Sequence, residues 1–246
     1  MKLALSNSIK NKGGAEAAWT PASLPDLIHW YKNSTGISTY THAASGNNIV
    51  TQWADQKGTN HLIDTSTPAN DSAYNTSHPK SDGSAIIFDH GNDQLDFTSH
   101  LSLGTYAVYI RASWTDTAFG DNVFEDEAGN NFLKIHSNNG IRHKASGNRH
   151  DFAYSSTFAG DGTKYNIGWE REDTGSTTDD QMFVFVNNVS QTQSGTGDGT
   201  QAITDTLDLE KIGDPTNEII LHEIIICDDA LSSGNRALLQ TYLNTI

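Results

Sequence analysis

Cysteine is all but missing: Cys227 stands alone in 246 residues, so no internal disulfide can staple the fold. Cations are scarce as well. Fifteen Lys and Arg face thirty Asp and Glu, a formal charge of −15, which argues against nucleic acid as the main partner because phosphate binding needs a basic surface. No apolar run approaches the roughly 18–20 residues of a membrane span, so no membrane partner is expected. Only three apolar residues interrupt Met1 to Asn7 before polar sequence resumes, too few for a secretory leader. Charged residues reach only 18%, below the quarter usual in soluble domains, so helices with Glu/Lys faces are not expected. What is present is 21 glycines, with Asn, Asp, Ser and Thr filling the gaps between short apolar runs. That is the composition of many strands joined by turns. A chain of this length buries about 70% or more of its unfolded surface and can stand on one core.

Residues 1–20 carry no periodicity and Gly13-Gly14 breaks them, so they read as an N-terminal arm; 21–246 read as one domain. Strand-like runs follow at Leu27–Tyr31, Ile49–Trp53 and Ala85–Phe88. Tyr106, Val108 and Ile110 alternate with Ala107, Tyr109 and Arg111, and Tyr165, Ile167 and Trp169 alternate with more polar neighbours, the pattern of strands with one apolar face. Met182–Val186 and Ile219–Cys227 are apolar on both faces and read as central strands. Asp64 to Gly83 is a polar stretch without periodicity. One helix is predicted, capped by Ser232 or Ser233, with Ala237, Leu238, Tyr242 and Leu243 as its apolar stripe, closing against the sheet edge.

Five stretches carry a resemblance. Leu24 to Tyr31 precedes Trp53-Ala54-Asp55-Gln56-Lys57-Gly58, a W-x-D-x-x-G turn. Phe88 to Leu95 is similar to an F-D-G-x-x-D-x-L hairpin, and Phe185-Val186-Asn187-Asn188-Val189 to Y-V-N-G-V with Asn188 in the glycine position. Asn tolerates the left-handed region, so that turn is expected to survive. Glu223 to Ser232 resembles E-x-x-I-Y-x-x-x-L-S. Together these resemble the concanavalin A-like (laminin G-like) lectin/glucanase fold, of the kind found in bacteriophage virion structural proteins. The resemblance implies an all-β jelly-roll β-sandwich with a C-terminal helix. It does not fix function, because the fold hosts lectins, hydrolases and viral appendages.

Catalysis is not expected. Retaining glycosidases need two carboxyls about 5–5.5 Å apart, and the resembled glucanases place theirs as E-x-D-x-E along one strand face. Glu125-Asp126-Glu127 turns its middle acid to the opposite face. Glu170 and Glu172 share a face but run into a Thr/Gly/Ser loop, so they read as a solvated strand end. Calcium is the cofactor the acidic loops would take: Asp89, Asp93 and Asp96 first, then Asp121, Glu125 and Asp126, or Asp179 and Asp180. No run has dedicated calcium-loop spacing. Trp114 and Trp53 could stack a sugar ring beside Asp121 and Asn122, with core packing as the competing role. His136, His143 and His150 recur every seven residues; turns between them could bring them together as transition-metal ligands. Cys227 reads as a small core residue.

The resemblance implies a non-enzymatic virion protein, a capsid decoration (cement) protein or tail appendage present in many copies. Its arm would insert Leu3, Leu5 and Ile9 into neighbouring virion subunits, with location in the virion after assembly in host cytoplasm. The strong negative charge would keep many copies soluble. The competing reading is a carbohydrate-binding module for host surface glycan, assisted by calcium.

Overall fold

The computed structural model describes residues 18–42, 45–65, 78–89, 93–115, 120–136, 140–146, 148–154, 158–172, 182–196, 206–213 and 218–246. Among them are eighteen strands, all paired antiparallel, and one α-helix. One layer is built on β1 (Leu27–Tyr31), β8 (Tyr106–Ser113), β13 (Tyr165–Arg171), β14 (Met182–Val186), β15 (Val189–Ser190) and β18 (Ile219–Cys227), in the order β1-β18-β8-β13-β14-β15. The other is built on β7 (Gln94–Leu103), β9 (Gly120–Glu125), β10 (Phe132–His136), β11 (Gly140–Ala145), β12 (Asn148–Ala153), β16 (Thr192–Thr196) and β17 (Leu207–Gly213), in the order β7-β17-β9-β10-β11-β12-β16. Short strands β2 (Ile37–Thr41), β3 (Asn48–Trp53), β4 (Leu62–Ile63), β5 (Lys80–Ser81) and β6 (Ile86–Phe88) join the layers, because β3 pairs with both β4 and β5, β4 pairs with β7, and β6 pairs with β18. β5 falls within the stretch read as structureless, and residues 66–77 of that stretch lie outside the described residues.

The two layers pack face to face over one core. Inward side chains of β8, β13 and β18 meet those of β9, β10, β11 and β17. Trp169 spans the gap, donating its indole N–H to the Arg142 carbonyl at 3.2 Å. The sequence predicted one apolar face for β8 and β13, yet β13 is buried along its whole length. Its outer face carries Asn166, Gly168 and Glu170, residues that look solvent-facing, and the helix covers them.

That helix, α1 (Ser233–Leu243), lies across the outer face of β1, β18 and β8, not at the sheet edge as predicted. Ser232 caps it, accepting from the Asn235 amide at 3.2 Å. Leu239 and Leu243, one turn apart, are its buried residues, and they pack on Leu27, Trp30, Tyr109, Ile225 and Cys227. Leu238, expected in the stripe, is 45% exposed. Ala237, also expected there, is exposed too; the buried face runs through Leu239, the next position, a one-residue rotation that the 3.6-residue period alone did not resolve. Gly168 answers to the same layer: a β-carbon there would stand 2.2 Å from the Tyr109 ring.

The turn motifs have physical reasons. Asp55 receives the Trp30 amide at 3.0 Å, the Lys57 amide at 2.9 Å and the His29 ring at 2.8 Å, tying β1 to the turn. A β-carbon at Gly58 would stand 2.9 Å from the Asp55 carboxylate, hence glycine there. Burial works against the charge, but the His29 bond and the amides of Trp30, Lys57 and Gly58 hold the Asp55 carboxyl below its usual range. Replacing Asp55 by alanine strands those donors and is expected to cost about 2–3 kcal/mol, read as a drop in the urea midpoint. Asn187 and Asn188 both adopt positive φ, 49° and 65°, the paired left-handed turn that asparagine permits.

Candidate functional site

The residues singled out for ligand contact are mostly spent on the fold. Trp53 and Trp114 are both fully buried. Trp53 packs on Tyr31 at 5.9 Å and donates to the Lys32 carbonyl; Trp114 stacks on Tyr165 at 5.1 Å. Neither has a face to offer a sugar, which corrects the stacking role. Asn122 bonds Glu125, and Asp121 lies in β9 with its side chain outside the description.

The calcium assignment is also corrected. Asp89 holds the Lys80 ammonium at 2.7 Å, Asp93 accepts the Asp89 amide at 2.9 Å, and Asp96 accepts from Thr65 and from Gln94. Among the described residues no three His, Cys, Asp or Glu side chains converge on a common point. Glu125 pairs with Lys211 at 3.0 Å, and Asp126 takes the amides of Asn130 and Asn131. Asp179, Asp180, Leu3, Leu5 and Ile9 lie outside the described residues. Cys227 sits under the helix, its thiol pushed up to about 12 by burial, then by Asp26, Asp228 and Glu170, so it stays protonated.

The histidine series splits by strand parity. His143 and His150 face each other across the β11–β12 ladder and point inward, while His136 lies on the outward side of β10. The Tyr106 hydroxyl hydrogen-bonds Nε2 of His143, and Gln193 lies 3.1 Å from Nδ1 of His150. Burial, then His150 and Arg171, drives the His143 pKa well below its ordinary value. The two form a polar inclusion in the core, apart from His136, so the three histidines do not make one metal site.

Two carboxylates missed by sequence reasoning lie beneath the helix. Glu170, read as solvated, has no exposure. It binds Arg236 through both oxygens, at 3.0 and 2.8 Å, and accepts the Tyr109 hydroxyl. Glu223 accepts from Trp30 and Tyr242 at 2.6 Å each and from the Asn33 amide at 3.1 Å. It forms the floor of a cleft of about 410 Å³ also lined by Lys32, Ser84, Lys164 and Thr245. Burial raises the Glu223 pKa, against those three hydrogen bonds. Each carboxylate accepts three hydrogen bonds from groups of the fold itself.

The outward face of β10, β11 and β12 is different. Alternation places Lys134, His136, Arg142, Lys144, Arg149 and Asp151 on that side, all partly exposed. Asp151 stands between two guanidinium groups, 3.2 Å from Arg142 Nε and 3.3 Å from Arg149 Nε. Beside it a pocket of about 170 Å³ is lined by His136, Gly140, Arg142, Asp151 and Ser194. The exposed Ser194 hydroxyl donates to the Asp151 carbonyl at 3.3 Å. Burial, then the charges of Arg142 and Lys134, lowers the His136 pKa, leaving an imidazole that can both donate and accept. A guanidinium, a neutral imidazole, a carboxylate and a hydroxyl around one small depression are the donors and acceptors that vicinal hydroxyls of a sugar require.

No family model matches the chain, and no curated protein matches it. Solved structures do. The sialidase of Trypanosoma rangeli in complex with sialic acid superimposes with a TM-score of 0.54 at 10% identity, covering 89% of this chain and 33% of that one. The botulinum neurotoxin serotype D ligand-binding domain in complex with N-acetylneuraminic acid gives 0.53 at 9%, covering 89% and 51%. The receptor-binding domain of botulinum neurotoxin D gives 0.53 at 9%, covering 88% and 52%. This chain therefore spans a third of the sialidase and about half of the toxin domains. The likeness establishes the all-β sandwich fold.

Proposed function

We propose that the protein is a non-catalytic glycan-binding module that reads sugar on the outward face of β10–β12. The observation that carries this reading is the pocket of His136, Arg142, Asp151 and Ser194, exposed on a sheet whose opposite face is core. The sandwich architecture shared with sugar-binding proteins supports it, and the use of Glu170 and Glu223 as acceptors for groups of the fold itself supports a non-catalytic role. The role expected from the resemblance, on a virion, rests on the motifs alone; the sugar-binding alternative is the one the solved structures favour.

A glycan array followed by calorimetry tests it. Binding of at least one glycan is expected in the micromolar range, unchanged by chelation of calcium. Arg142→Ala should weaken it at least tenfold while leaving the thermal transition in place. Silence across the array, or full binding by Arg142→Ala, would refute the reading.

A further inference from the structure

The cations on this face are arranged at a cost. In the β10–β11 register Lys134 lies directly opposite Arg142, and in the β11–β12 register Lys144 lies directly opposite Arg149. Like charges directly opposite on one face of an antiparallel pair destabilise it. The outward positions of these three strands hold four cations and one carboxylate, Asp151, in a chain with twice as many acids as bases. Asp151 is shared between Arg142 and Arg149, so it cannot neutralise both. Elsewhere in the same layer, between β17 and β9, the arrangement is the ordinary one, Lys211 against Glu125 at 3.0 Å. Lys144 also donates to the Gly129 carbonyl at 3.0 Å and lies 5.5 Å from the Phe132 ring centre, so the face presents a net positive charge on positioned side chains.

Resting on the glycan-binding reading, we propose that this face selects anionic saccharides, sugars bearing a carboxylate or a sulfate. Arg142 meets the anionic group at the pocket rim, and Lys144 and Arg149 extend the favourable field along the strands. A guanidinium pairs with a planar carboxylate or with sulfate oxygens through two parallel N–H bonds. A sugar is favoured over nucleic acid because the chain's overall charge of −15 repels long polyanions, while the His136 imidazole and Ser194 hydroxyl suit ring hydroxyls.

The test uses the whole chain and matched oligosaccharides: a neutral member, its uronate counterpart and its sulfated counterpart, with an oligonucleotide of equal charge alongside. The acidic members should bind at least tenfold tighter than the neutral one at 50 mM NaCl, and the gap should shrink at 300 mM. The variant Lys144→Gln with Arg149→Gln should narrow the gap severalfold, with its cooperative thermal transition retained. Preference for uronate over sulfate, or the reverse, identifies the anion. Equal affinity for neutral and acidic members, a preference that survives in the variant, or equal binding of the oligonucleotide would each overturn the selectivity while leaving sugar binding standing. Silence towards every saccharide would remove sugar binding itself, and the selectivity with it.

Discussion

Replacing Arg236 by alanine is expected to lower the unfolding free energy by about 3–5 kcal/mol, because it strands a buried carboxylate. Glu170 has no solvent exposure, and its counter-charge comes from the helix, where the Arg236 guanidinium also lies 3.9 Å from the Phe185 ring centre and donates to the Leu231 carbonyl at 2.8 Å. One side chain thus fastens α1 to β13 and β14. Removing it leaves Glu170 with only the Tyr109 hydroxyl, too little to hold a full charge in a dry layer. The companion double variant, Arg236→Ala with Glu170→Gln, keeps an acceptor for Tyr109 but carries no charge, and it should recover at least half of the loss. Guanidinium unfolding followed by tryptophan fluorescence reads both. A loss below 1 kcal/mol in the single variant, or no recovery in the double, would show that the ion pair does not hold the helix.

Acidification from pH 7 to pH 4 is expected to bring the next largest loss. His143 is buried neutral between the layers, with Tyr106, His150 and Arg171 around it. His222, 3.1 Å from the Ser113 hydroxyl, is pushed down to about 4 by burial, then by Lys164 and Arg111, against the pull of Asp82. For both groups the folded pKa lies below the unfolded value near 6.5, so the unfolded chain binds more protons throughout the interval between them. Their contribution is complete above about pH 6.5 and declines as pH falls towards 4. Asp55, with a depressed carboxyl, loses its share only at lower pH, and Glu223, with a raised one, works in the opposite direction. The denaturant midpoint should therefore slope downward between pH 6.5 and 4, and His143→Gln, which retains an acceptor for Tyr106, should flatten that slope. A wild-type midpoint that stays level over this interval would contradict the assignment.

Much of the fold was legible because strand residues announce themselves locally. Ile219–Cys227 and Met182–Val186 read as covered on both faces, and so they are; Asn187-Asn188 read as a turn and shows the required positive φ. The misses all depend on distant chain. Glu170 in Glu-Arg-Glu-Asp looks like a solvated end until Arg236 arrives from the helix. The seven-residue histidine spacing allowed turns to bring all three together, but only the register shows that the turn after Ala145 sets His143 against His150 while His136 stays on the other face. The site was illegible for the same reason. Lys134, Arg142, Lys144 and Arg149 look scattered, and become a single field only when the registers of three strands are known.

The pairing of β1 with β18 also sets a timetable for synthesis. Leu27 lies opposite Cys227, and ribosomes add roughly 5–20 residues per second. The apolar segment Leu27–Tyr31 therefore waits about 10–40 s for its partner to be made. Through that interval it remains an unpaired edge open to chaperones and to strands of neighbouring nascent copies, so slowing translation in the second half of the gene should lower soluble yield more than slowing it in the first.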